Sequence, residues 1–320
     1  MPTKAVRPPP WQADDRWPIA MPTPQHSVAV RLAGGLGNQM FQYAAGRVVA
    51  LATGRRLLLD PSGIASGPSG RRYELGAFRL DAPAVGAVLR MLIRAQVGAR
   101  VPVPLRAVVR TAAGSRWTLL AERGRACDER LFTAGGDLVL DGFWQSASYA
   151  DRDPETAGRL RQDFALRQPL PDRLAALAAE MAACESVCVH VRRGDYAHDP
   201  RIAAVHGALE PDYYAAAAAR LADSVSSPAY YVFSDDLGWA RAHLRLPGPT
   251  RFVDDAAGLG SAIEQRLMAS CRHFIIANST FSWWAAWLGE HPRKFVVAPR
   301  RWFADRPAPA GLLPESWMIA

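Results

Sequence analysis

Lysine is nearly missing from this chain: it occurs only at Lys4 and Lys294, and arginine carries the positive charge. With a formal net charge of +8 and a sequence pI near 9.7, the chain is expected to meet an anionic partner. A nucleic acid, a phosphorylated small molecule and an anionic membrane surface all satisfy charge alone. No interleaved basic and aromatic motif is present, which argues against nucleic acid. Cysteine is scarce too. Cys127, Cys184, Cys188 and Cys271 form no second pair and have no paired histidines, so no zinc pattern results and free thiols in a reducing compartment are expected. No run of about 18 apolar residues exists, so no membrane span is expected. Residues 1–25 hold prolines at 2, 8, 9, 10, 18, 22 and 24 and lack the apolar core of a signal peptide. A disordered leader and a cytoplasmic protein are the expectations.

What is present is an ordinary globular composition of 320 residues, about half of them apolar, enough for one large or two ordinary domains. Val28–Leu32 alternates as a strand, Ala33–Asn38 is a glycine-rich turn, and Gln39–Ala52 has helical periodicity. Arg56–Asp60 reads as the next strand, completing the opening of a doubly wound domain. Further strands are expected at 138–140, 187–191, 229–233, 251–253, 274–277 and 295–298, the last closing a sheet. Helices are expected between them, including one long polar helix over 149–164. Pro169–Pro171 reads as a linker. The expected division is a leader (1–25), a first Rossmann-like domain (26–168), a second (172–303) and a tail (304–320), with two parallel sheets facing across a cleft. Residues 82–121 contain no acidic residue but six arginines set among apolar ones. Either a helix packs on its own domain with arginines in water, or it lies on a membrane surface.

Ligands of doubly wound folds bind beyond the carboxyl ends of strands. Four such ends carry polar stretches here: Gly34–Gln39, His190–Asp195, Ser234–Asp236 and Asn278–Ser282. Arg192 and Arg193 present fixed charge and planar donor forks suited to phosphate oxygens; Asp195 offers them an internal salt bridge instead. Asn278, Ser279, Thr280, Phe281 and Ser282 open a helix, either as a phosphate cradle or as plain N-capping. Asp235 and Asp236 could ligate a metal on a diphosphate, or form a salt bridge and an N-cap. Phe143 and Trp144, at another strand end, could stack on a sugar or close the core.

Five segments together, GGLGNQMFQYAAG (34–46), HVRRGDY (190–196), YYVFSDD (230–236), LMASCRHFIIANSTFSWWAAWL (267–288) and APRRWF (298–303), resemble the bacterial α-1,2-fucosyltransferases of glycosyltransferase family 11. The resemblance implies a GT-B fold and an inverting enzyme that needs no metal or other cofactor and moves L-fucose from GDP-fucose to the 2-hydroxyl of a galactose-containing acceptor. It implies that His190 contacts guanine or ribose, that Arg192 holds the β-phosphate and that Arg193 is structural. Ser279–Ser282 would bind phosphate, and Gly35, Gly37, Asn38 and Gln39 would close over the sugar. Glu264 stands where the family usually has an aspartate against guanine; it keeps the charge and adds a methylene. For the acceptor proton, Asp195 is the nearest carboxylate to the clamp, with Asp199 a weaker candidate. A lipid-linked acceptor and peripheral contact with the anionic inner leaflet are further expectations; nucleic acid is not an expected partner.

Overall fold

The computed structural model describes residues 26–65, 71–97, 117–124 and 126–320. The leader, and 98–116 of the basic stretch, lie outside the described residues. Two all-parallel sheets face each other across a cleft, the GT-B arrangement. The first is ordered β2-β1-β4-β3 and comprises β1 (Ser27–Arg31), β2 (Arg56–Asp60), β3 (Trp117–Ala121) and β4 (Asp137–Asp141). The second comprises β5 (Ser186–Val191), β6 (Ala229–Ser234), β7 (Thr250–Phe252), β8 (His273–Ile275), β9 (Val296–Ala298) and β10 (Met318–Ile319). Its order, β10-β9-β8-β5-β6-β7, is the 3-2-1-4-5-6 order of dinucleotide-binding domains, in which the crevice opens where the order reverses. That point lies between β5 and β8. In the first sheet it lies between β1 and β4.

Among the described residues, the helices of eight or more residues are α1 (Leu36–Thr53), α2 (Ala87–Val97), α3 (Pro154–Asp163), α4 (Asp172–Ala183), α5 (Pro211–Ala222), α6 (Ser261–Met268) and α7 (Thr280–Leu288). α1 starts abruptly because Gly34 takes φ +75, a conformation that costs other L-residues steric strain. α7 is buried along its length from Ser282 to Leu288. An apolar sequence all round a helix has only one stable place, between two layers. Phe41 of α1 packs on Trp283 and Trp284 of α7 at ring separations of 4.5 and 5.0 Å. The tryptophans are core, and one apolar cluster runs through both sheets' supporting helices.

Three expectations are corrected. The polar helix over 149–164 is two helices, Ala147–Ala150 and α3, because Pro154 at the start of α3 cannot continue a preceding turn while Asp153 caps the new one. Residues 304–320 are not a tail: β10 pairs with β9, and the indole N–H of Trp283 donates to the Leu312 carbonyl at 2.9 Å. The 295–298 strand therefore does not close the sheet. In the basic stretch, Ile93 of α2 is buried with Ala29 and Val139 of the first sheet, with Leu89 packed beside them. Val88 and Met91 point outward, 71% and 64% exposed.

Candidate functional site

A cavity of about 650 Å³ opens between the sheets, within the usual range for ligand sites. It lies beyond the carboxyl ends of β5 and β8 on one side and of β1 and β4 on the other. Of the residues singled out by sequence, it gathers Gly35, Gly37, Asn38, His190, Arg192, Asp195, Glu264, Asn278, Ser279, Thr280 and Phe281. Gln39, Arg193 and Ser282 do not line it.

The reasons are local. Gln39 is fully buried; its amide donates to the carbonyls of Gly34 and Arg72 and accepts the Glu74 N–H, bracing the turn rather than facing a ligand. Arg193 lies 3.9 Å over the Trp239 ring and 3.9 Å from Asp236, so its guanidinium is spent structurally. The Ser282 hydroxyl donates back to the carbonyls of Ala277 and Ser279, just ahead of its own helix.

Arg192 leaves β5 into a set of charges. It pairs with Asp235 at 2.8 Å and with Asp195. Asp195 also accepts from Arg71 at 2.9 Å, across 124 residues of sequence, so one carboxylate joins the two halves of the cleft. Arg71 was not visible in the sequence as a site residue, since no motif surrounds it. Asp235 accepts the Arg193 backbone N–H at 2.8 Å, and Asp236 caps the next helix by accepting from the Trp239 N–H at 3.0 Å. The aspartate pair is thus a salt bridge and an N-cap. Among the described residues no three histidine, cysteine or acidic side chains gather as a metal site.

Opposite Arg192, the Ser279 hydroxyl caps α7, and Thr280 donates to Asn38 at 3.1 Å while Gln145 donates to the same Asn38 oxygen at 2.9 Å. This network ties the glycine turn to the start of α7. A β-carbon on Gly37 would stand 2.4 Å from the Thr280 backbone carbon, so only glycine permits the approach. Asn278 donates to the carbonyls of His206, Gly207 and Trp302, fixing the loop ahead of the helix. Asp199, the weaker base candidate, caps a short helix by accepting from the Arg201 N–H and does not line the cavity.

Burial sets the protonation states. The His190 imidazole is pushed down to about 3, first by desolvation and then by Arg192, so it is neutral at neutral pH. The Glu264 carboxyl is pushed up by burial, with Asp235 adding to the effect and Arg192 opposing it. The cavity also takes in Tyr196, stacked on His206 at 4.6 Å, and Glu122, Phe143, Trp302, Phe303 and Arg306. Tyr196, Trp302 and Phe303 sat inside the recognised segments; nothing in the sequence marked Glu122 or His206.

The chain is 30% identical to an alpha-1,2-colitosyltransferase of Escherichia coli over 86% of this chain and 92% of that protein. It is also 30% identical to the O-antigen biosynthesis glycosyltransferase WbnK of Escherichia coli, over 90% of this chain and 98% of that one. The chain belongs to glycosyl transferase family 11. The family's own model matches residues 159–308, which contain all of the second sheet but β10. A galactoside alpha-(1,2)-fucosyltransferase 1 of Plecturocebus brunneus is 25% identical over 83% of this chain and 68% of that one. As a family 11 member the protein is a glycosyltransferase, and the cavity at the two switch points is where its chemistry would occur.

Proposed function

We propose that this glycosyltransferase moves L-fucose from GDP-fucose to the 2-hydroxyl of a galactoside, with inversion at the transferred carbon. The observation that carries the reading is the juxtaposition, across the β5/β8 switch point, of the Arg192 guanidinium with the N-capped start of α7, in one cavity with Glu264. Free N–H groups at a helix start and a guanidinium together suit a diphosphate. Ser279, Thr280 and Phe281 would hold phosphate oxygens, and Arg192 would stabilise charge as GDP departs. A carboxylate at Glu264 would accept from guanine's N1–H and 2-amino group, which adenine cannot offer. Neutral His190 would meet base or ribose without adding charge. Gly35, Gly37 and Asn38 would cover the transferred sugar from the facing sheet. The second unit, 172–303, would hold the donor, and the first, 26–168, the acceptor.

Asp195 is assigned here a positioning role. Arg71 and Arg192 both donate to it, and holding Arg192 in place is what its contacts serve. Donor charge is met by guanidinium and helix N–H groups, so this reading needs no divalent ion. The acceptor's 2-hydroxyl would attack a fucose already developing oxocarbenium character as its C1–O bond to the GDP β-phosphate breaks, and would give up its proton to solvent. Purified protein incubated with GDP-[¹⁴C]fucose and a series of β-galactosides should release GDP and yield an α-1,2-linked product. Release only with a GDP-sugar lacking the 3-hydroxyl would point to colitose, and absence of transfer to any β-galactoside would reject the acceptor assignment.

A further inference from the structure

Gly142-Phe-Trp-Gln145 follows β4 at the first sheet's switch point, and the reading above leaves its aromatic pair without a task. The structure separates the two rings. Trp144 takes φ 54, a left-handed conformation that strains a bulky residue. Its ring is 1% exposed and meets Tyr149 edge-on at 6.3 Å. Phe143 and Gln145, on either side of it, both line the cavity. Phe143 is 44% exposed, an apolar ring left open to solvent inside a cleft, where packing gives it nothing.

Glu122, just past β3, accepts the Phe143 backbone N–H on Oε2 at 2.7 Å. A β-carbon on Gly142 would meet that side chain at 2.4 Å, so the glycine makes room for it. The carboxylate is thus fixed on the Phe143 backbone, and both residues line the cavity that also holds Arg192 and Glu264. A flat apolar ring with a carboxylate held on the same residue's backbone is chemistry that recognises a pyranose. The ring takes the sugar's C–H face, and the carboxylate accepts hydroxyl donors in charge-assisted bonds. Galacto-configured sugars, whose axial 4-hydroxyl leaves C3, C4 and C5 hydrogens together on one face, present the best such surface.

We infer that Phe143 and Glu122 form the acceptor platform, holding the galacto-configured ring whose hydroxyl receives the transferred sugar. The inference rests on the proposed transfer reaction for its purpose, but its binding test does not. Saturation-transfer NMR with methyl β-galactoside should show ring-proton signals in the wild type that vanish in Phe143→Ala and persist in Phe143→Tyr. Glu122→Gln should weaken them while keeping the Phe143 N–H bond through its amide oxygen. In turnover, Phe143→Ala should raise the acceptor KM by about ten-fold or more, with GDP affinity by calorimetry changed less than about two-fold. Equal signals in wild type and Phe143→Ala, no signal in wild type, or a parallel loss of GDP affinity would each overturn the platform. Galactoside signals without any GDP binding would instead leave the platform standing and remove the donor assignment.

Discussion

Glu264 shows how burial becomes a measurable pH effect. Its raised pKa means that the folded chain holds this proton more tightly than the unfolded chain does. The group therefore lowers stability as pH rises through the interval above the ordinary glutamate value. Nucleotide binding has the opposite sign, because the carboxylate form accepts from guanine. GDP affinity measured by calorimetry should fall as pH drops through that raised value, and Glu264→Gln should lose this limb and bind GDP more weakly at neutral pH. Parallel profiles would remove Glu264 from the base site. Asp163 offers a separate test of what holds the scaffold. It is buried and accepts from Tyr43 and Arg47, both at 2.8 Å, with Arg159 at 3.2 Å. Asp163→Ala would strand the Arg47 charge, and a loss of about 3–5 kcal/mol in urea unfolding is expected. At this scale the sequence was legible where chemistry clusters along the chain, as at 190–195. It was silent on Arg71, whose partner is distant in sequence, and misleading at Gln39 and Ser282, whose polar atoms are consumed by their own backbone surroundings.

Helix α7 is the element on which both halves depend. Its N-terminal residues face the cavity while its tryptophans fill the core behind. Gly37 of α1 touches its backbone at Thr280. Gly37→Ala should therefore cost about 1–3 kcal/mol by overpacking and reduce transfer as the turn backs away from the helix start. Normal unfolding energy and full activity in this variant would contradict the close-contact account. Alternating or apolar runs made β1, β4, β5 and β6 readable. β3 went unnoticed because Trp117–Ala121 ends a long basic stretch and shows no clear alternation of apolar and polar residues, and β10 because two residues carry no periodicity. The break between Ala150 and Pro154 was there to be read in the Asp153–Pro154 pair.

Across the whole molecule, two sheets in dinucleotide-binding style place both switch points on one cavity. The sequence disclosed that architecture through repeated strand–helix alternation. It did not disclose that the two units share one apolar cluster, or that Asp195 bridges Arg71 and Arg192 across the cleft, because both depend on how the halves meet. Within the cleft, Arg192 is held by Asp195 and Asp235. The account stands on that guanidinium being the diphosphate's partner. Calorimetric titration of the full chain with GDP, without added divalent cation, tests it most directly. Wild type should bind, and Arg192→Ala should weaken binding by about 100-fold, or about 2.7 kcal/mol. Equal affinity in the two proteins would contradict it.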